Sequence, residues 1–401
     1  MENDEISCKE SQYYGFKIMA NLFFIYSPMQ LLVAQQIINM KKLSDNIMLY
    51  GYIGENFNFL KIYELTCVNE LWKEKVMLPE LAQWATISRR NIYKDLVKTY
   101  HNYILINRLI KEYNVSSIYL GDINNYSNKF ANIVFKKGNV DMIFYEEGLS
   151  HYAFQDHFRN KKMHVSDYLL CPLLDFFYFW PLYKTSYAKY CFKVDRRFEE
   201  LHIDKRYSIR PLYHESYDEI ITVSPLISDR LSAHIENEIA GNTHDNAVLL
   251  LTSPAYELLE YNDLNNYLKV LEDYVSTVDV DTMIYVKFHP REVGRAQKDV
   301  LNIIKKNHHV IILGDEVNIP VEYYLQTMKF VEVTTFFSST AFYNGLLFPQ
   351  GRFVSLLQYY VDKCCSSGNN RLRGEFADRV QVEKEFMRDQ KGWYFSFPNV
   401  N

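Results

Sequence analysis

Short apolar and β-branched runs recur along this chain, separated by stretches with helical periodicity. That alternation restricts the folds open to it more than any other feature. In the first half the runs are Asn21–Tyr26, Ile47–Ile53, Val115–Leu120 and Asp141–Tyr145. Further on they are Glu219–Val223, Ala247–Thr252, Met283–Phe288, Val310–Leu313, Phe330–Val333 and Phe353–Leu357. Segments with an amphipathic period lie between them: Met29–Met40, Asp263–Val275, Arg295–Asn307, Val321–Met328 and Thr340–Leu347. Runs this short, bounded by turn residues, read as buried strands. Strand alternating with helix predicts an α/β protein with parallel sheets covered on both faces. A chain of 401 residues is long enough for two domains. The polar run Gly241-Asn242-Thr243-His244-Asp245-Asn246 is the best linker. The division is therefore 1–240, 241–375 and a charged, aromatic tail over 376–401 that packs back across the junction onto the first domain.

Composition removes several classes of function. A net charge of -5 supplies no basic field, which excludes nucleic acid as a partner. Only 14 glycines occur, and no GxGxxG or Walker pattern exists, which argues against a dinucleotide or P-loop enzyme. The six cysteines show no CxxC spacing, so a reduced, cytoplasmic setting is expected. The polar segment Met1–Tyr14 is not a signal peptide. The aromatic stretch Leu169–Tyr183 is broken by Pro172, Asp175 and Pro181, so it is no plain transmembrane helix. It reads first as a buried loop or a mobile flap, and it is also the one surface the sequence offers for peripheral membrane contact.

Chemistry concentrates where the strands end, which is where open α/β sheets bind their ligands. His289-Pro290 follows Met283–Phe288. An imidazole there can hold an anion or exchange a proton, with Lys287 beside it. Pro290 ends the strand's ladder. Glu146-Glu147-Gly148 follows Asp141–Tyr145, and a cleft carboxylate beside apolar surface can act as a general base. Ser338-Ser339 precedes the helical run Thr340–Leu347 and suits a phosphate at a helix start. Glu322 lies just after Pro320 at another helix start and can reach ribose hydroxyls. Thr252-Ser253-Pro254 ends one strand. Ser27-Pro28-Met29-Gln30 ends the first strand and begins a helix. Asp122 and Asn124 stand in the loop after Leu120. Each also has a purely structural reading: a turn histidine, an acidic turn, an N-cap, a partner for the helix dipole or a strand-to-helix turn. Asp279-Val280-Asp281 has the DxD form of a metal site, but it precedes Met283–Phe288 on the edge opposite His289. It reads as a solvated turn, and the histidines show no metal spacing. No metal or cofactor is expected.

Three such clusters in this order resemble bacterial sialyltransferases with the GT-B architecture, two Rossmann-like domains facing a cleft. The acid-acid-Gly motif is Glu146-Glu147-Gly148, the His-Pro motif is His289-Pro290 within Lys287–Glu292, and the Ser-Ser motif is Ser338-Ser339. The segment Asn21–Gln30 and the segment Thr335–Ala341 are similar to glycosyltransferase family 52, which sialylates lipooligosaccharide and capsule. The resemblance spans about residues 20 to 360. It implies CMP-sialic acid as donor, with CMP mostly on the second domain, and a reaction that inverts the anomeric centre without a metal. His289 would bind the phosphate and act as general acid. Ser338 and Ser339 would hold the same phosphate, with Lys287 and Pro290 beside it. Glu322 would hold the ribose. Thr252, Ser253 and Pro254 would lie along the cytidine.

Ser27, Gln30, Asp122 and Asn124 would face the acceptor, a galactose-terminated surface glycan joined α2,3. Some relatives carry an acid directly after the Ser-Pro of the second domain. Here that position is Ala255, so the base becomes Glu147, as in polysialyltransferases, with Glu146 as the alternative. Two other readings remain. One is a polysialyltransferase, which would want a basic groove; the clusters Lys161-Lys162, Lys193–Arg197 and Arg371–Arg373 stand against a negative total. The other is a silent glycan-binding module on the same scaffold.

Overall fold

The computed structural model describes residues 19–51, 59–78, 104–121, 140–145, 203–209, 218–222, 224–239, 246–259, 263–336, 351–365 and 393–395, with a few single positions between them. Two wholly parallel sheets organise these residues. The first contains β1 (Ala20–Ile25), β2 (Asn46–Tyr50), β3 (Glu74–Met77), β4 (Val115–Leu120), β5 (Asp141–Tyr145), β6 (Lys205–Ser208) and β7 (Glu219–Ile220). Its order is β3-β2-β1-β4-β5-β6-β7. The second contains β8 (Ala247–Leu251), β9 (Met283–Lys287), β10 (Val310–Leu313), β11 (Glu332–Thr335), β12 (Arg352–Ser355) and β13 (Trp393–Tyr394). Its order is β10-β9-β8-β11-β12-β13. Each half thus starts in the middle of its sheet, builds outward to one edge and then crosses to the other side. That is the doubly wound Rossmann arrangement, and it places a topological switch point between β1 and β4 and another between β8 and β11.

The central strands form where the sequence is continuously apolar. All six residues of β1 and all five of β8 are buried. Both faces of a parallel sheet are covered by helices, so no polar alternation survives. Each buried leucine of β8 contributes roughly 1.5–3 kcal/mol relative to exposure. Peripheral strands follow other rules. β3, Glu-Lys-Val-Met, is an edge strand with no buried residue. β11 begins two residues later than the expected run Phe330–Val333, because Thr334 and Thr335 are fully buried and carry the ladder. Phe353–Leu357 divides into β12 and a helix that starts at Leu357. In the described part of the tail, Trp393 and Tyr394 pair with Val354 and Ser355, so this part completes the second sheet.

The helix Asp229–Ile239 straps the halves together. Leu231, Ile235 and Ile239 form its buried stripe. Near its start, Ser228 Oγ donates to Leu65 O at 3.5 Å and Arg230 donates to Glu64 O at 3.3 Å, both on the helix Phe59–Thr66 of the first half. Near its end, Glu238 accepts the Gly314 N–H at 2.5 Å and the Tyr324 hydroxyl, both in the second half. One apolar cluster, including Phe23, Ile62, Ile235, Leu249 and Tyr323, runs through both halves.

Candidate active site

The second switch point gathers the chemistry. In register, Leu251 of β8 pairs with Lys287 of β9 on one side and with Thr335 of β11 on the other, while Leu313 of β10 pairs with Lys287. The loops that leave these four strands therefore start at one level, spaced about 4.8 Å apart. His289, Thr252–Pro254, Ser338 and Gly314 all belong to them. A cavity of about 280 Å³ opens on the β9–β10 side of this point, lined by His289, Pro290 and Glu292 after β9, by Gly314 and Asn318 after β10, and by Ile62 of the first half.

His289 sits in a tight turn closed by the Glu292 N–H donating to His289 O at 2.8 Å. Pro290 at the second position suits such a turn. The Arg291 N–H donates to His289 Nδ1 at 3.1 Å, so the ring's own proton lies on Nε2. Burial, with Arg291 and then Lys287 nearby, lowers the imidazole pKa to about 4. In the free protein it is therefore a neutral Nε2–H donor at neutral pH. The turn is held to β8 by the His289 N–H, which donates to Thr252 Oγ1 at 3.3 Å.

Lys287 is buried. Burial lowers its pKa to about 8 against the opposing pull of Glu322 and Glu238. Its ammonium donates to Asn318 Oδ1, and Asn318 Nδ2 donates to Phe288 O at 3.2 Å. Gly314 makes this approach feasible. Its φ is +75°, and a Cβ there would stand 3.2 Å from Asn318 Cα and 3.4 Å from Lys287 Nζ. Glu322, at the start of the helix Val321–Thr327, is 4% exposed, and its carboxyl pKa is raised, chiefly by burial. Thr340 Oγ1 donates to it at 3.4 Å, and Ser338 Oγ donates to Thr340 Oγ1 at 3.0 Å while accepting the Thr340 N–H at 3.2 Å. A hydrogen-bonded line thus ties Ser338 through Thr340 to Glu322. Ser253 Oγ is buried and makes no hydrogen bond.

At the first switch point, Ser27 Oγ accepts the Gln30 N–H at 3.1 Å and Gln30 Oε1 accepts the Tyr26 N–H at 2.7 Å. Both residues serve the cap of the helix Pro28–Lys41. Gly121, at the end of β4, packs so tightly that a Cβ would lie 2.7 Å from Gln30 Cγ. Glu146, Glu147, Gly148, Asp122, Asn124, Ser339, Leu169–Tyr183 and the three basic clusters lie outside the described residues. Asp279 and Asp281 occupy an exposed turn before β9, where Asp279 accepts the N–H groups of Asp281 and Thr282.

Two groups that matter to this geometry have no role assigned from sequence. Glu238 binds Gly314 from the strap helix, and Glu292 is a buried carboxyl behind His289. Glu292 lies within the quoted Lys287–Glu292 motif. Its burial depends on partners distant in the chain, which no local pattern announces.

Two Rossmann-like domains with a polar cavity at the strand ends define a GT-B type protein. Methanocaldococcus jannaschii UDP-GlcNAc 2-epimerase is similar in fold, with a TM-score of 0.50, 13% identity and 92% of each chain covered. Medicago truncatula UGT71G1 complexed with UDP-glucose aligns over 93% of each chain at 9% identity and a TM-score of 0.46. The family model described as alpha-2,8-polysialyltransferase matches residues 21–357. The chain belongs to that family, in agreement with the sialyltransferase resemblance of its motifs, and is a glycosyltransferase. No curated protein matches it significantly.

Proposed function

We propose that this protein transfers sialic acid from CMP-sialic acid to a hydroxyl of a bacterial surface glycan, with inversion and without a metal. The observation that carries this reading is the grouping of His289, Ser253 and Ser338 on adjacent strand ends at one switch point in a chain of the polysialyltransferase family. The donor phosphate lies beside Ser338, Ser339 and the Nε2–H of His289, with Lys287 supplying positive charge and Glu322 the ribose contact. Thr252–Pro254 flank the cytidine. CMP leaves as a stabilised anion, and a hydrogen bond from a neutral imidazole already favours its departure. The anion also offsets the burial that keeps the ring neutral, so protonation becomes easier once donor is bound. Glu147, with Glu146 as alternate, deprotonates the acceptor hydroxyl.

The acceptor is a terminal galactose joined α2,3. A second reading, favoured by the family description, makes sialic acid itself the acceptor and the product an α2,8-linked chain. Incubation with CMP-sialic acid and either lactose or an oligosialic primer separates the two: one addition to lactose supports the first, and a ladder of lengths on the primer supports the second. An absence of CMP release with either acceptor, alongside intact glycan binding, would support the silent module instead. A lipid-linked acceptor would bring the enzyme to the membrane surface. No helix among the described residues is long and apolar enough to cross one.

A further inference from the structure

We propose that Glu292 is a positioning residue for His289: its carboxylate, buried behind the turn, fixes the end of β9 against the end of β8 and so aims the imidazole at the donor. The inference rests on the reading of His289 as the donor-phosphate contact. Glu292 is 3% exposed. The Tyr267 hydroxyl, from the helix Leu264–Val275, donates to its Oε1 at 3.1 Å. The Ser253 N–H in turn points at the Tyr267 oxygen. The Thr252 hydroxyl, which donates to Lys287 O at 3.5 Å, and the His289 N–H, bonded to Thr252 Oγ1, lie close enough to the same carboxyl to lower its pKa. Two loops, those carrying Ser253 and His289, and the helix of Tyr267 therefore meet around one acid. Its Oε2 is buried without a hydrogen bond of normal geometry, which no purely structural tie requires.

Ionisation controls this hub. The Tyr267 hydroxyl donates to this acid and the Thr252 hydroxyl and His289 N–H favour its charged form, so the carboxylate, which only accepts, suits its surroundings better than a protonated acid, which gives up one acceptor site. Burial nonetheless raises its pKa to about 7, with Glu257 raising it further and the donors pulling it down. The other charged or titratable groups around it are Arg291, paired with Glu257 at 3.1 Å, Tyr256 and His289. Above about pH 7 the turn is held; below it, the tie weakens.

The test uses the full chain as wild type, Glu292→Gln, Tyr267→Phe and His289→Ala. Wild-type kcat should rise with pH through a midpoint near 7. Glu292→Gln, which never ionises, should lose that limb and roughly 10- to 100-fold in kcat at pH 8, with donor KM nearly unchanged. Tyr267→Phe removes a donor to the carboxylate and should move the midpoint upward. Wild-type kcat and an intact limb in Glu292→Gln, or an unmoved midpoint in Tyr267→Phe, would overturn the proposal. The His289 ring resonance, assigned by its loss in His289→Ala, reads the coupling without turnover. It should shift with a midpoint near pH 7 in wild type and not in Glu292→Gln, and a shift shared by both refutes the coupling. Full activity in His289→Ala, or no turnover by wild type, would refute the functional reading and leave this spectral result to decide the Glu292 tie.

Discussion

Replacing Glu292 with glutamine should stabilise the protein, and increasingly so as pH rises. The carboxyl pKa is lifted from the ordinary 4.5 to about 7, mainly by burial. The folded chain therefore holds a proton that the unfolded chain has released between those two values. Stability is greatest below about pH 4.5, falls as pH rises through the interval and levels off above 7. At ~1.4 kcal/mol for each tenfold change in proton affinity, the full penalty is about 3 kcal/mol. By pH 5 less than ~1 kcal/mol of it has accrued. Glutamine occupies the same volume, accepts from Tyr267 and never pays the cost of a buried charge. It also turns an amide toward the Thr252 and His289 donors, which adds an offset that pH does not change. The diagnostic quantity is therefore the gap between variant and parent, which should open by about 2–3 kcal/mol from pH 5 to pH 8. Urea unfolding followed by tryptophan fluorescence at both pH values measures it. A gap that stays constant, or closes as pH rises, would refute the account of Glu292 as a carboxyl ionising in a dry site.

Three further outcomes are expected. His289→Ala and Glu147→Gln should each lower kcat by ~10²–10⁴-fold, measured as CMP release; near-normal turnover in either would remove that residue from the mechanism. Gly314→Ala should lower stability by about 1–2 kcal/mol from the left-handed backbone alone and raise the donor KM by crowding Lys287, so an unchanged melting temperature and KM would show the loop to be tolerant. EDTA should leave the initial rate unchanged, and a loss restored by Mn²⁺ would return Asp279 and Asp281 to consideration.

The parts of this architecture that sequence made legible are those in which a residue's neighbours on the chain determine its environment. β1, β8 and β9 are continuous apolar runs, and burial on both faces requires that. His289 and Ser338 follow the ends of β9 and β11, and a strand's end is itself a local feature. The misses share a different cause. β3 is a charged edge strand whose ladder partner is β2, 27 residues earlier by register. The helix Asp229–Ile239 buries Leu231, Ile235 and Ile239 among charged residues, and its role as a strap depends on Leu65 and Gly314, far away along the chain. Glu292 and Glu238 are held by groups 25 and 76 residues away. Hydrogen bonds of that span follow from packing, which no local pattern encodes.

The strap helix also acts as a lever. Its 11 residues make a rigid rod about 16 Å long, gripping the first half at one end and the Gly314 loop at the other. A tilt of roughly 10° about its first turn would carry Glu238 about 3 Å, more than a hydrogen bond can stretch. Any closure of the two halves over a donor must therefore drag the Gly314 loop along or release it. The cavity wall beside Lys287 thus inherits its position from the angle between the domains.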